Sequence, residues 1–118
     1  MPVTGIGGFF FRARDPDALK QWYCDRLGVG CGDYGTWEQS AGTTVFSPFK
    51  ADTDYFAADK QCMLNLRVDG IDELLDKLRA AGVDVITKPE WDDPAVGRFA
   101  RIHDPEGNPI ELWQPPAS

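Results

Sequence analysis

The chain has 118 residues, 42% of them hydrophobic, and a net charge of −7 at neutral pH. That length fits one small domain, or two very small modules sharing a core, and the apolar share excludes global disorder. The acidic balance argues against nucleic acid and anionic membrane as partners, since both need basic patches, and no apolar run is long enough to span a bilayer.

The first predicted element is a strand over residues 6–14, with Phe9, Phe11 and Ala13 on one face and Gly8, Phe10, Arg12 and Arg14 on the other. Asp15-Pro16 then reads as a helix start, with Asp15 as N-cap and Pro16 in the first turn. Leu19, Trp22, Tyr23 and Leu27 recur at helical spacing as a core-facing stripe, and Gly28 stops the helix. Short β pieces are expected around residues 31–34, 36–39 and 43–46, separated by Gly35 and by Ser40-Ala41-Gly42. Residues 48–60 read as a polar joint, although Tyr55 and Phe56 are apolar enough to pack back, at the mouth of a pocket for example.

The pattern then starts again. Cys62-Met63-Leu64-Asn65-Leu66-Arg67-Val68 reads as a strand with Leu64, Leu66 and Val68 on one face. Asp69-Gly70 leads into a helix whose stripe is Ile71, Leu74, Leu75 and Leu78, closed by Ala81-Gly82-Val83. Val85-Ile86 is a short strand, and residues 91–97 form a loop. The last segment reads as strand, turn, strand. Phe99 and Ile102 are its first apolar positions, Asp104-Pro105-Glu106-Gly107-Asn108 is dense in turn residues, and Ile110 and Leu112 then alternate with Glu111 and Trp113. Glu111 is either one residue of a solvated face or a carboxylate in a concave site.

The two halves lie over each other: Phe11-Arg12-Ala13 on Leu66-Arg67-Val68, Leu27-Gly28-Val29 on Ala81-Gly82-Val83, and Phe46-Ser47-Pro48 on Trp113-Gln114-Pro115. This is an internal repeat of strand, helix and three strands. One domain is expected over 1–118, with module one at about 5–48, a linker at about 49–61 and module two at about 62–115. Cys24, Cys31 and Cys62 are odd in number and lack a CxxC spacing, which supports neither structural zinc nor a disulfide framework. Cys24 and Cys62 are expected as small buried apolar side chains. The N-terminus lacks a charged-then-apolar signal pattern, so a cytoplasmic location is expected.

The repeat, the Arg-Asp-Pro helix start, the Trp22-Tyr23 to Leu27-Gly28 helix end and the closing Asp-Pro-Glu-Gly-Asn…Ile-Glu-Leu-Trp hairpin together resemble the vicinal oxygen chelate superfamily, which holds glyoxalases, bleomycin-resistance proteins and extradiol dioxygenases. The resemblance implies an α+β fold of two tandem βαβββ modules forming a curved mixed sheet around a cleft, and a homodimer. It also implies a divalent metal held by inward side chains from the first and fourth strand of each module. Those positions here are Gly8, Thr44, Met63 and Glu111, and only Glu111 keeps the pattern. One carboxylate cannot hold a metal at useful affinity, and a thioether is a poor ligand for the hard or borderline metals concerned, so no cofactor is expected.

What remains is a cleft lining of Phe10, Arg12, Thr44, Phe46, Met63, Asn65, Arg67, Glu111 and Trp113, with Trp37, Tyr34, Tyr55, Phe56 and Trp91 able to roof it or to fill a dimer interface. Arg12 and Arg67 occupy equivalent places; they could flank a ligand's carboxylate or phosphate, or pair with Asp15, Asp69 or Glu111. His103 is expected to stabilise the hairpin turn or to act as a base at the rim. Three functions compete: a metal-free protein binding a small molecule in an aromatic cleft, for which the acidic surface would suit a cationic ligand; a metal-dependent lyase, isomerase or dioxygenase using Glu111; and a non-catalytic dimeric partner or regulatory subunit with a side-chain-filled cleft.

Overall fold

Asp15 and Gly28 bound the first helix as their chemistry dictates. In the computed structural model, which describes residues 2–117, α1 spans Pro16–Leu27. The Asp15 carboxylate accepts the Ala18 N–H at 3.1 Å, and Gly28 takes the left-handed conformation at φ 68° and donates its N–H to the Cys24 carbonyl at 3.0 Å. A 3₁₀ turn follows at Asp33–Gly35, then β1 (Leu64–Arg67), α2 (Ile71–Ala80), a second 3₁₀ turn (Pro89–Trp91), β2 (Arg98–His103) and β3 (Pro109–Gln114). The N-cap of α2 is Gly70, which has no side chain to offer. The Gln114 side chain at the end of β3 accepts the Ile71 N–H instead, at 2.8 Å, and ties the helix to the sheet.

The sheet order is β1-β3-β2, with β1 parallel and β2 antiparallel to β3. Ile86 extends it by one antiparallel bridge to Arg101, with hydrogen bonds of 2.9 and 2.8 Å. One face of the sheet carries Leu66, Ala100, Ile102, Ile110 and Leu112, all buried against Leu19 and Tyr23 of α1 and Ile71, Leu75 and Leu78 of α2. Burying each large aliphatic side chain of that set stabilises the fold by roughly 1.5–3 kcal/mol. The strict alternation of β3 then sends Glu111 and Trp113 to the opposite face.

Two polar clusters fasten the hairpin to α1. Asp104, buried in the turn, accepts from the Tyr23 phenol at 2.7 Å, from the N–H groups of Glu106 and Asn108, and from the Asn108 side chain. The Glu106 carboxylate takes the N–H groups of Arg14 and Asp15 at 2.7 and 3.0 Å. The turn hub is thus Asp104, while the neighbouring His103 is exposed. Gly97, at φ 129°, lets the loop before β2 pass close to β3: a Cβ there would collide with the Gln114 carbonyl oxygen.

The second half carries strand, helix, bridge and hairpin in the expected order. The first half differs. It holds α1 and a 3₁₀ turn, and the strands expected at 6–14, 31–34, 36–39 and 43–46 are absent among the described residues. The physical reason lies in pairing and burial. Residues 6–13 keep the expected facing, with Phe11 edge-on to Tyr23 at 6.1 Å and Ala13 against the core, but no ladder partner lies beside them. Apart from Leu19 and Tyr23, no first-half side chain among the described residues is fully buried. A second difference concerns the cysteines. Cys24 and Cys31 form a disulfide across a Cα–Cα distance of 5.1 Å, because Gly28 and Gly30, both at positive φ, turn the chain back toward the helix end. Cys62 is exposed rather than buried.

Candidate functional site

The register of the sheet assembles a row of polar side chains on its non-core face. Asn65 of β1 pairs with Glu111 of β3, which pairs with Arg101 of β2. All three point away from the helices, since their neighbours Leu66, Leu112, Ala100 and Ile102 point toward them. Glu111 is 9% exposed and Arg101 is 6% exposed, so a carboxylate and a guanidinium sit side by side under cover.

The cover comes from the joint at 48–60 and from the loop before β2. Tyr55 donates its phenol O–H to Glu111 Oε2, and Asn65 Nδ2 donates to Oε1 at 2.7 Å, so both carboxylate oxygens are engaged. The Arg101 guanidinium lies 4.8 Å from the Tyr55 ring centre and 5.6 Å from that of Trp91, and the two rings are 6.1 Å apart. Burial, then the bond to Glu111, then the charge of Glu111 push the Tyr55 phenol up to about 12, with Arg101 acting in the opposite direction. Two positions along, Phe99 and Trp113 stack at 6.4 Å with planes 9° apart, and Trp113 Nε1 donates to the Val96 carbonyl at 2.9 Å.

Of the lining expected from sequence, Asn65, Glu111 and Trp113 come together on this face, with Met63 half-buried just before β1. Arg67 shares the face but is committed: it donates to the carbonyls of Thr43 at 2.8 Å and Ser40 at 2.7 Å, closely above Gly42. It pairs with none of Asp15, Asp69 and Glu111. Arg67 thereby pins the first half to the sheet. Thr44 is exposed beside that contact, Trp37 is 43% exposed, and Phe10 and Phe46 stand out at 93% and 88%. Arg12 lines a shallow recess of about 440 Å³ with Arg14, Lys60, Glu106 and Asn108, and a second of about 270 Å³ opens between α1 and the hairpin turn. Both recesses lie by residues 104–108, away from Glu111.

Sequence reasoning missed Arg101 and the direct role of Tyr55. Arg101 had a usable signal, because Phe99, Arg101 and His103 alternate with Ala100 and Ile102. Tyr55 had none beyond its apolar character, since its contact with Glu111 spans 56 positions of chain.

Comparison with known proteins gives consistent results. Residues 8–113 match the glyoxalase-like domain family. Among curated proteins, none matches the chain. The fold is similar to the crystal structure of TnmS3, an antibiotic binding protein from Streptomyces sp. CB03234, with 29% identity, 98% of each chain covered and a TM-score of 0.61. A glyoxalase/bleomycin resistance protein from the same strain shares 30% identity over 85% of this chain and 91% of its own, with a TM-score of 0.49. TioX from Micromonospora sp. ML1 has a similar fold, with 20% identity, 90% and 92% coverage and a TM-score of 0.52.

Proposed function

We propose, on the premise that the chain belongs to the glyoxalase-like domain family, that it holds a small molecule on the polar and aromatic face of its sheet and uses no divalent metal to do so. The observation that carries this reading is the row Asn65, Glu111 and Arg101, roofed by Tyr55 and Trp91 and flanked by the stacked Phe99 and Trp113. Aromatic area with a few converging polar groups is the usual make-up of a small-molecule site. The similarity to TnmS3, an antibiotic-binding protein, supports a small organic ligand over a macromolecule.

The donor set does not fit a divalent metal. Gly8, Thr44 and Met63 contribute no strong ligand, and both Glu111 oxygens already accept hydrogen bonds. Arg101 beside Glu111 adds a fixed positive charge that disfavours a second cation. The same hydrogen bonds restrain Glu111 as a base, which leaves binding ahead of turnover.

Phe10, Arg12, Trp37, Thr44 and Phe46 enter this reading through a second copy of the chain. We place them in a first βαβββ module whose strands pair when two chains associate, which completes the cleft. The test is a titration of tryptophan fluorescence with planar aromatic compounds, with elemental analysis after incubation in Zn²⁺, Ni²⁺, Mn²⁺ and Fe²⁺. Saturable quenching that weakens about tenfold in Trp91→Ala, with no retained metal, is the expected result. Near-stoichiometric metal that is lost in Glu111→Gln would overturn the metal-free reading and point to the enzyme alternative.

A further inference from the structure

We propose that Arg101 anchors a carboxylate carried on a planar aromatic ligand, an inference that rests on the small-molecule reading above. Arg101 is 6% exposed, and its Nε and Nη2 atoms are shielded from solvent with no hydrogen-bond partner among the described residues. Those two nitrogens share one edge of the guanidinium. Their N–H bonds run side by side as a fork that matches the two oxygens of a carboxylate. Buried polar groups are nearly always bonded, and an arginine stays charged at any accessible pH. A desolvated fork with no partner is costly, and a ligand carboxylate recovers that cost.

The protein's own carboxylates do not fill the fork. Glu111 is the register partner of Arg101, yet no ion pair joins the two, because Tyr55 and Asn65 hold the Glu111 oxygens. Apart from the Tyr55 hydroxyl, on which Arg101 acts, what is set against the guanidinium is aromatic. Its centre, the Tyr55 ring and the Trp91 ring stand at the corners of a triangle with sides of 4.8, 5.6 and 6.1 Å. A flat ring attached to the carboxylate has two aromatic faces to lie against. Tyr55 reaches this site from the joint at 48–60, which contains no helix or strand. The overall charge of −7 slows the approach of an anion, but the local fork decides the affinity. The ligand class is therefore acidic where the surface charge alone suggested a cation.

The experiment compares naphthoate with its neutral isostere naphthamide by calorimetry on the intact protein, and follows the Arg101 Nε–H resonance by NMR. Naphthoate is expected to bind at least about tenfold more tightly than naphthamide and to shift that resonance as it saturates. Arg101→Lys, which keeps the charge and loses the fork, is expected to shrink the preference to about threefold or less while the fold is retained. The wild-type comparison and the resonance need no variant, so a misfolded Arg101→Lys leaves the test intact. Equal affinity for acid and amide, or saturation by naphthoate that leaves the Nε–H resonance unmoved, overturns the anchor and leaves the small-molecule reading standing. Absence of binding by either compound at millimolar concentration overturns both.

Discussion

Tyr55 carries two jobs at the scale of single residues: its hydroxyl satisfies Glu111, and its ring covers Arg101. Both depend on the phenol staying neutral, and its surroundings push its pKa up to about 12. A group whose folded pKa is raised contributes stability that is fully present below its unfolded pKa, near 10, and is lost as pH rises through the folded value. An alkaline titration followed by tyrosinate absorbance should therefore show a phenol ionising near 12 that disappears in Tyr55→Phe. Loss of the near-12 step only in some other tyrosine variant would contradict the assignment. Tyr23 is also raised, by burial, then by its bond to Asp104 and by the Asp104 charge, so the difference between Tyr55→Phe and wild type is the readout. Residue identity at 111 was legible from sequence because the β3 alternation is strict. Its engagement by Tyr55 and Asn65 was not, because hydrogen bonds across 56 and 46 positions leave no local pattern.

Besides the Tyr23–Asp104 bond and core packing, two contacts at the ends of α1 can be tested at the scale of elements. The first is Glu106, whose carboxylate is held below the usual range by the N–H groups of Arg14 and Asp15. A carboxylate with a depressed pKa contributes stability that is present above its unfolded pKa and lost as pH falls through the folded one. The melting temperature should fall below about pH 4.3, the ordinary glutamate value, and Glu106→Gln should flatten that part of the profile. Asp72, lowered by its hydrogen bond to Arg98, acts in the same direction and contributes to the slope that remains. The second contact is the Cys24–Cys31 disulfide, which staples the end of α1 to the following turn. Its loop is short, so reduction should cost about 2 kcal/mol, seen as a drop of several degrees in melting temperature that is absent in a Cys24→Ser, Cys31→Ser double variant. No change on reduction would mean that the helix end is held by Gly28 capping alone. The pairing was not legible in sequence, because a C-x₆-C spacing specifies no bond until Gly28 and Gly30 turn the chain back.

The whole molecule is lopsided. Its core draws on the sheet, α2 and one side of α1, while Ile6, Phe9, Phe10, Phe11, Val45, Phe46 and Phe49 remain exposed in the first half. That exposed apolar area is what the proposed association of two chains would cover. The homodimer proposed above should elute at twice the mass of the chain in light scattering coupled to size exclusion. Phe10→Glu with Phe46→Glu should shift it to the monomer and weaken ligand binding in parallel. A monomeric wild type at micromolar concentration would sink the shared-cleft arrangement without touching the Arg101 row.

The sequence by itself determined the elements whose stabilising contacts are local or periodic. The Asp15 cap, the Gly28 stop, both helical stripes and the alternation of the closing hairpin follow from backbone chemistry within a few residues. The helix start and end signals and the closing motif also led to the family. Tertiary structure alone decided which side chains meet. It placed Arg101 against Glu111 through strand register, turned Arg67 toward the Ser40 and Thr43 carbonyls, and brought Tyr55 over both members of the buried pair. Those contacts join residues 24 to 56 positions apart, or neighbours on separate strands. Their energies depend on burial and register, and neither exists until the chain has folded.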